Sequence, residues 1–214
     1  SKQFLIQEEG IDLSNWKDSL SKAPLHGLDA YVQAIREKNL RNSVFVDVTA
    51  NKDVAMVYAS LLEKSIAVVA CNKIACSSDY ASYVHLKNLA RLYNTSFLFE
   101  TNVGAGLPVI GTLNDLLRSG DQITKIEAVL SGTLNFVFNN YDGTKPFADV
   151  VRQAQIEGYT EPDPRLDLGG TDVMRKIMIL ARESGKVIEM DDIANEYFLP
   201  MSCFDGSLED FYNE

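Results

Sequence analysis

The sequence has no run of 18 or more apolar residues, so no stretch of it is expected to span a membrane as a helix. Its opening, SKQFLIQEEG, has neither the basic start nor the apolar core of a secretory signal. Cysteine is scarce. Cys71, Cys76 and Cys203 are odd in number, and no C-x-x-C occurs. With only His26 and His85 beside them, a zinc site is not expected. Reduced thiols in a cytoplasmic protein are the simplest reading. Cys71 lies in an apolar run and is expected to be a small core residue rather than a nucleophile. Basic residues are outnumbered, 20 Lys and Arg against 30 Asp and Glu, for a net charge of −10. That argues against nucleic acid as a partner, because phosphate binding needs basic patches. No repeat or low-complexity segment appears.

What is present is ordinary for a globular chain: 46% hydrophobic and 23% charged residues over 214 positions, enough for one large or two small domains. GLDAYVQAIREKNL (27–40) reads as an amphipathic helix. Trp16, at helix-like spacing from Leu13 and Leu20, reads as a packing residue. Three apolar runs of strand length follow: SVFVDVT (43–49), IAVVAC (66–71) and SFLFET (96–101). Helical patterns over about 52–64 and 79–94 separate them. Such alternation predicts a parallel sheet covered on both faces, with ligands at the carboxyl ends of its strands. Thr49-Ala50, Asn72-Lys73 and Glu100 fall there. Each also has a plain reading: Thr49 as a helix cap, Asn72-Lys73 as a strand-to-loop junction, Glu100 as a solvated strand end. Their coincidence along one sheet edge favours a site.

Beyond the third strand the pattern changes. FETNVGAGLPVIGTLNDLLRSG (99–120) puts glycines ahead of Pro108, which suits a first helical turn. Val109, Leu113, Leu116 and Leu117 form the expected core face. A Gly-rich loop opening a helix can bind an anion, but G-x-G-x-x-x-x-G is not the dinucleotide fingerprint. KIEAVLSGTLNFVFNNY (125–141) reads as a strand running into a helix, 146–157 as a helix, KVIEM as a short strand and DDIANEYF as helical. A domain boundary is expected near 103–108, dividing 1–104 from 105–214.

The most informative stretch is EGYTEPDPRLDLGGTDVMRKIMILARES (157–184). Glu161, Asp163, Asp167 and Asp172 place four carboxylates in twelve positions, broken by Pro162 and Pro164. The two prolines exclude a helix interior there. Gly169-Gly170 permits a tight turn. Thr171 then reads as an N-cap, and Val173, Ile177, Leu180, Ala181 and Ser184 as one buried face. Asp172 and Lys176, one turn apart, fit two readings. One is a helix ion pair worth a few tenths of a kcal/mol. The other is a substrate-binding acid beside a proton-donating lysine at a pocket wall.

EGYTEPDPRLDLGGTDVMRK resembles the signature of homoserine dehydrogenases. VVACNK, NVGAGLPVI, SGTLNF and GIDLSNWKD are similar to segments of the same family, most closely of those enzymes fused behind an aspartokinase. The resemblance implies an incomplete Rossmann-type parallel sheet followed by an α+β substrate and dimerisation domain. It implies NAD(P)-dependent interconversion of aspartate 4-semialdehyde and L-homoserine, with Lys176 as the acid/base. Glu161, Asp172, Asp167, Lys73, Gly132 and Thr133 would contact substrate. Thr49, Ala50, Asn72 and Lys73 would lie by the NAD or NADP. A sodium or potassium ion would sit on Glu100 and the carbonyl oxygens of Val103, Ala105 and Leu107. A homo-oligomer, dimer or tetramer, and an aspartokinase domain on the parent chain are implied too. The family's opening G-x-G-x-x-G has no counterpart here, nor has its C-terminal portion. The chain is therefore read as a piece of a larger enzyme, expected to bind dinucleotide weakly or not at all by itself. Two alternatives stay open: a dehydrogenase of another small amino or hydroxy acid, and a non-catalytic packing and dimerisation module.

Overall fold

The structure, a computed structural model, describes residues 3–160 and 163–213. After a first short helix, α1 (Trp16–Ser21), α2 (Gly27–Lys38) ends where Asn39 turns left-handed at φ 44°. Then come β1 (Val44–Asp47), α3 (Lys52–Met56), α4 (Tyr58–Leu62), β2 (Ala67–Ala70), α5 (Ile74–Ser77), α6 (Tyr80–Leu92) and β3 (Phe97–Leu98). The strands form one parallel sheet in the order β1-β2-β3, with Val44 opposite Ala67 and Val68 opposite Phe97. The helix read over 52–64 is two helices. The backbone N–H of Val57 bonds to Val54 three residues back, which tightens the turn between them.

Side chains alternate across this sheet. Phe45, Val68 and Phe97 are buried together, and Tyr31 and Tyr58 pack on them. Tyr58 stands edge-on to both Phe45 and Phe97, with ring centres 6.2 and 5.9 Å away, an arrangement aromatic quadrupoles favour. On the other face Val44, Val46, Val48 and Leu98 are all more than half exposed. The expected covering of both faces is thus met on one face only among the described residues. Cys71 follows the same geometry. It is exposed, not a core residue, because it lies one position past the strand, out of phase with buried Ala70. Trp16 is also only partly packed. With Leu13 and Tyr31 it lines an open cavity of about 590 Å³.

The chain divides into two compact units. One comprises the described residues up to Ala75 together with Ala81–Phe99; the other comprises Cys76–Tyr80 and the described residues from Glu100 onward. The second contains α7 (Val109–Arg118), α8 (Gly132–Asn140), α9 (Phe147–Ile156), α10 (Arg165–Leu168), α11 (Thr171–Glu183) and α12 (Leu208–Asn213). In α9 the apolar spacing puts Val150, Val151 and Ala154 on one face. They are buried with Val137 of α8, Leu168 of α10 and Phe211 of α12.

Two expected strands, 125–130 and KVIEM, find no ladder partner among the described residues and stay irregular. DDIANEYF contributes only to a single 3₁₀ turn at Met190–Asp192. In α7, Ile110 and Leu113 are the buried residues, while Leu116 is exposed.

Candidate active site

In the first unit the expected cofactor edge is organised by a residue that carried no signal in the sequence. Asp47, at the carboxyl end of β1, is 1% exposed. It accepts from the Thr49 N–H at 2.7 Å, the Tyr58 hydroxyl at 2.5 Å and Asn72 Nδ2 at 3.0 Å. Burial pushes its carboxyl up, but the bonds from Tyr58, Thr49 and Asn72 outweigh this and hold it below its ordinary value. Asn72 is almost fully buried. Its nitrogen also donates to the Asn51 carbonyl, and its oxygen accepts from the Ile74 N–H. Its carboxamide therefore braces the edge. Thr49 and Ala50 are exposed there, and Lys73 is half-buried at the entry to α5. Thr49 does not cap the next helix. Asn51 does, accepting from the Asp53 and Val54 N–H groups.

In the second unit the turn before α7 reverses the chain through Gly104 at φ 83° and Ala105 at φ 52°. A Cβ on Gly104 would lie 2.5 Å from Val109 Cγ2, so only glycine fits. Glu100 is not a solvated strand end. Its two oxygens accept from the Ile110 and Gly111 N–H groups at 2.7 Å each, capping the start of α7. The Leu107 carbonyl accepts from the Val109 N–H. Val103 is buried, while Ala105 and Leu107 are exposed. Among the described residues no three of His, Cys, Asp and Glu come together as a metal-holding group.

α11 starts from Gly170 at φ 79°, which occupies the cap position expected for Thr171. The Gly169-Gly170 pair admits a close approach: a Cβ on Gly169 would lie 2.9 Å from the Arg165 carbonyl, and one on Gly170 3.0 Å from Asn195 Oδ1. The deepest residues of α11 are Met178, Ile179 and Leu180, with Arg182 and Glu183, so this helix is enclosed rather than one-sided. The Arg182 guanidinium is neutralised and satisfied by the Cys76, Ser78 and Ile188 carbonyls and the Glu189 carboxylate.

On the same helix the Lys176 side chain is 17% exposed. Its Nζ lies 2.6 Å from Asp172 Oδ2 and 2.7 Å from the Leu130 carbonyl. The helix ion pair is thus formed, and its lysine stands in a pocket wall. Lys176 lines a cavity of about 390 Å³ with Gly104, Ala105, Leu107, Leu130 and Gly132 among others. An ammonium has three N–H groups; Asp172 and Leu130 engage two. Next to it α8 begins at Gly132, capped by Ser131, whose hydroxyl accepts from the Leu134 N–H. Thr133 is buried. Its hydroxyl donates to the Tyr159 carbonyl at 2.5 Å and stands 3.0 Å from Asp167 Oδ1. Lys176, Asp172, Gly132 and Thr133 with Asp167 are thus gathered around α8 and α11; the expected acid Glu161 lies outside the described residues. Sequence reasoning missed Asp47, the Leu130 and Tyr159 carbonyls and the Arg182–Glu189 pair. Backbone carbonyls leave no mark in side-chain identity.

Comparison with known proteins agrees in both halves. Residues 6–100 match the homoserine dehydrogenase NAD-binding domain, and residues 108–209 match the homoserine dehydrogenase domain. Similar proteins include the maize bifunctional aspartokinase/homoserine dehydrogenase 1, 46% identical over 94% of this chain and 22% of that protein. The Haemophilus influenzae bifunctional aspartokinase/homoserine dehydrogenase is 40% identical over 98% of this chain and 26% of that protein. This chain thus spans about a quarter or less of those relatives. Among solved structures, a Candida auris protein of unknown function superposes with a TM-score of 0.87 at 34% identity, covering 100% of this chain and 62% of that one. A hyperthermophilic archaeal homoserine dehydrogenase in complex with NADPH superposes at 0.66 with 29% identity, covering 79% of this chain and 51% of that one. With two models of one family matching its two halves in turn, and identities of 40% and more along nearly all of its length, the chain belongs to the homoserine dehydrogenase family.

Proposed function

We propose that these residues serve an NAD(P)-dependent enzyme interconverting aspartate 4-semialdehyde and L-homoserine. The observation that carries the reading is the Lys176 ammonium, held by Asp172 and the Leu130 carbonyl at a cavity wall with one N–H to spare. That N–H meets the substrate oxygen and gives its proton as the aldehyde becomes an alcohol; in the reverse direction the amine takes it back. Asp172, with Glu161, receives the substrate ammonium by charge-assisted hydrogen bonds. Thr133 and Asp167 stand 3.0 Å apart beside it, and the start of α8 at Gly132 borders the same cavity.

A bound nicotinamide would supply hydride chemistry to this site. Thr49, Ala50 and Lys73 are the residues of this chain that would hold the dinucleotide, on the strand edge that Asp47 and Asn72 brace. A sodium or potassium ion would take the carbonyl oxygens of Val103, Ala105 and Leu107 with Glu100, a hard-oxygen donor set. The left-handed turn at Gly104-Ala105 supports this, although the Glu100 carboxylate already caps α7. An aspartokinase on the same parent chain, as the relatives' names indicate, a homo-oligomer and a cytoplasmic setting complete the proposal.

The test is Lys176→Ala in the full natural chain containing these residues. kcat is expected to fall by about 100-fold or more with KM little changed, the usual scale for losing a positioned acid/base. A kcat within about threefold of the parent, under about 1 kcal/mol of barrier, ends the assignment.

A further inference from the structure

The cavity that holds Lys176 has two more polar side chains in its wall, Ser131 and Asn135, and none of the roles above uses Asn135. The helix sets its place. Asn135 is the fourth residue of α8, one turn past Ser131, whose carbonyl accepts its backbone N–H at 3.1 Å. Ser131, Gly132 and Asn135 therefore follow one another along the cavity wall.

The carboxamide is oriented from outside the cavity. Asn139 Nδ2 donates to Asn135 Oδ1 at 3.0 Å and to the Asn135 carbonyl at 2.7 Å. With that oxygen turned to Asn139, the group Asn135 can turn to a ligand is its NH₂, two uncharged donors. Gly104, Ala105, Leu107, Val129 and Leu130 bring no side-chain donor to the wall. An α-amino acid carries an ionised carboxylate that must find donors on leaving water. Its ammonium needs acceptors, which an NH₂ is not. Lys176 has one N–H left, and the proposed reaction gives that to the substrate oxygen. The carboxylate is the ligand group still without a partner; the wall's donors still without a role are the single Ser131 O–H and the Asn135 NH₂, and only the NH₂ brings two N–H groups.

We infer that Asn135 is a substrate-binding residue, donating through Nδ2 to the α-carboxylate and so selecting α-amino acids over simple amino alcohols. The inference rests on the dehydrogenase reading of this cavity. It also separates Asn135 from a plain surface residue paired with Asn139, which no ligand would feel.

In the full natural chain, Asn135→Ala is expected to raise KM for L-homoserine about tenfold, the scale of one hydrogen bond to a charged group. kcat should change less than about threefold. Asn135 is exposed, so the thermal midpoint should not move. Inhibition by 3-aminopropan-1-ol, which keeps the ammonium and hydroxyl but lacks the carboxylate, should be the same in parent and variant. Asn135→Asp, setting a second carboxylate against the first, should raise KM further. A KM for Asn135→Ala within twofold of the parent, or an equal loss for homoserine and the amino alcohol, overturns the inference. Lys176→Ala run alongside separates the two claims. If it keeps its rate, the dehydrogenase reading fails and takes this inference with it. If it loses its rate while Asn135→Ala keeps its KM, only the role of Asn135 fails.

Discussion

The Asp47 carboxylate accepts a hydrogen bond from the Asn72 carboxamide at 3.0 Å, a side-chain contact that joins the carboxyl end of β1 to that of β2 beside the main-chain bond from the Cys71 N–H to the Asp47 carbonyl. The register already sets Asp47 beside Ala70, two residues before Asn72. Main-chain pairing brings the two ends together, and the side-chain bond then fixes where the loops leave the sheet. Tyr58 and the Thr49 N–H complete the set, so a buried charge is met by donors on three sides.

Asp47→Asn should cost about 1–3 kcal/mol of stability, because the new NH₂ faces groups that donate. The pH dependence has a definite sign. Asp47 is held below its ordinary value of 3.8 in the folded chain. Its contribution is therefore fully present above that value and is lost as pH falls toward and through the lower folded value. Urea unfolding at a series of acidic pH values should show the parent losing stability across this window. The Asn variant should lose less there, and a parallel loss in both would refute the assignment.

The turn before α7 offers a test of backbone strain. Gly104→Ala must hold a Cβ at φ 83° against Val109, and should destabilise the chain by about 1–3 kcal/mol. Gly106→Ala, where a Cβ would meet nothing within 4 Å, should stay within about 0.5 kcal/mol. Thermal melts of the two variants compare them directly.

Arg182 is a third case. Its buried guanidinium donates to three carbonyls and one carboxylate, so Arg182→Met leaves acceptors unpaired and should cost about 3 kcal/mol or more. Arg182→Lys keeps the charge but not the planar fork, and should recover less than half of that. Denaturant midpoints that barely separate Met from the parent would show the network to be unimportant.

The parallel sheet and α2, α6, α8, α9 and α11 were legible in the sequence, since apolar periodicity reports local geometry and little else is needed for it. So was the acidic, glycine-punctuated entry to Lys176, because proline and glycine restrict the backbone wherever they stand. The places where local signals misled have a common cause. Thr49 and Thr171 are good caps by type, yet Asn51 and Gly170 took those positions because the loops around them had other bonds to make. The runs at 125–130 and 186–190 have strand composition, but a strand exists only by pairing, and no ladder partner meets them among the described residues.

The sequence by itself determined the sheet, the principal helices and the candidate chemistry at Lys176. Only the tertiary structure decided that Lys176 is held by the Leu130 carbonyl, Thr133 by the Tyr159 carbonyl, and the sheet edge by Asp47. The physical reason is that hydrogen bonds in buried sites go to whatever acceptor folding brings near. Two of these three acceptors are peptide oxygens, the same at every residue, and therefore silent until the chain is folded.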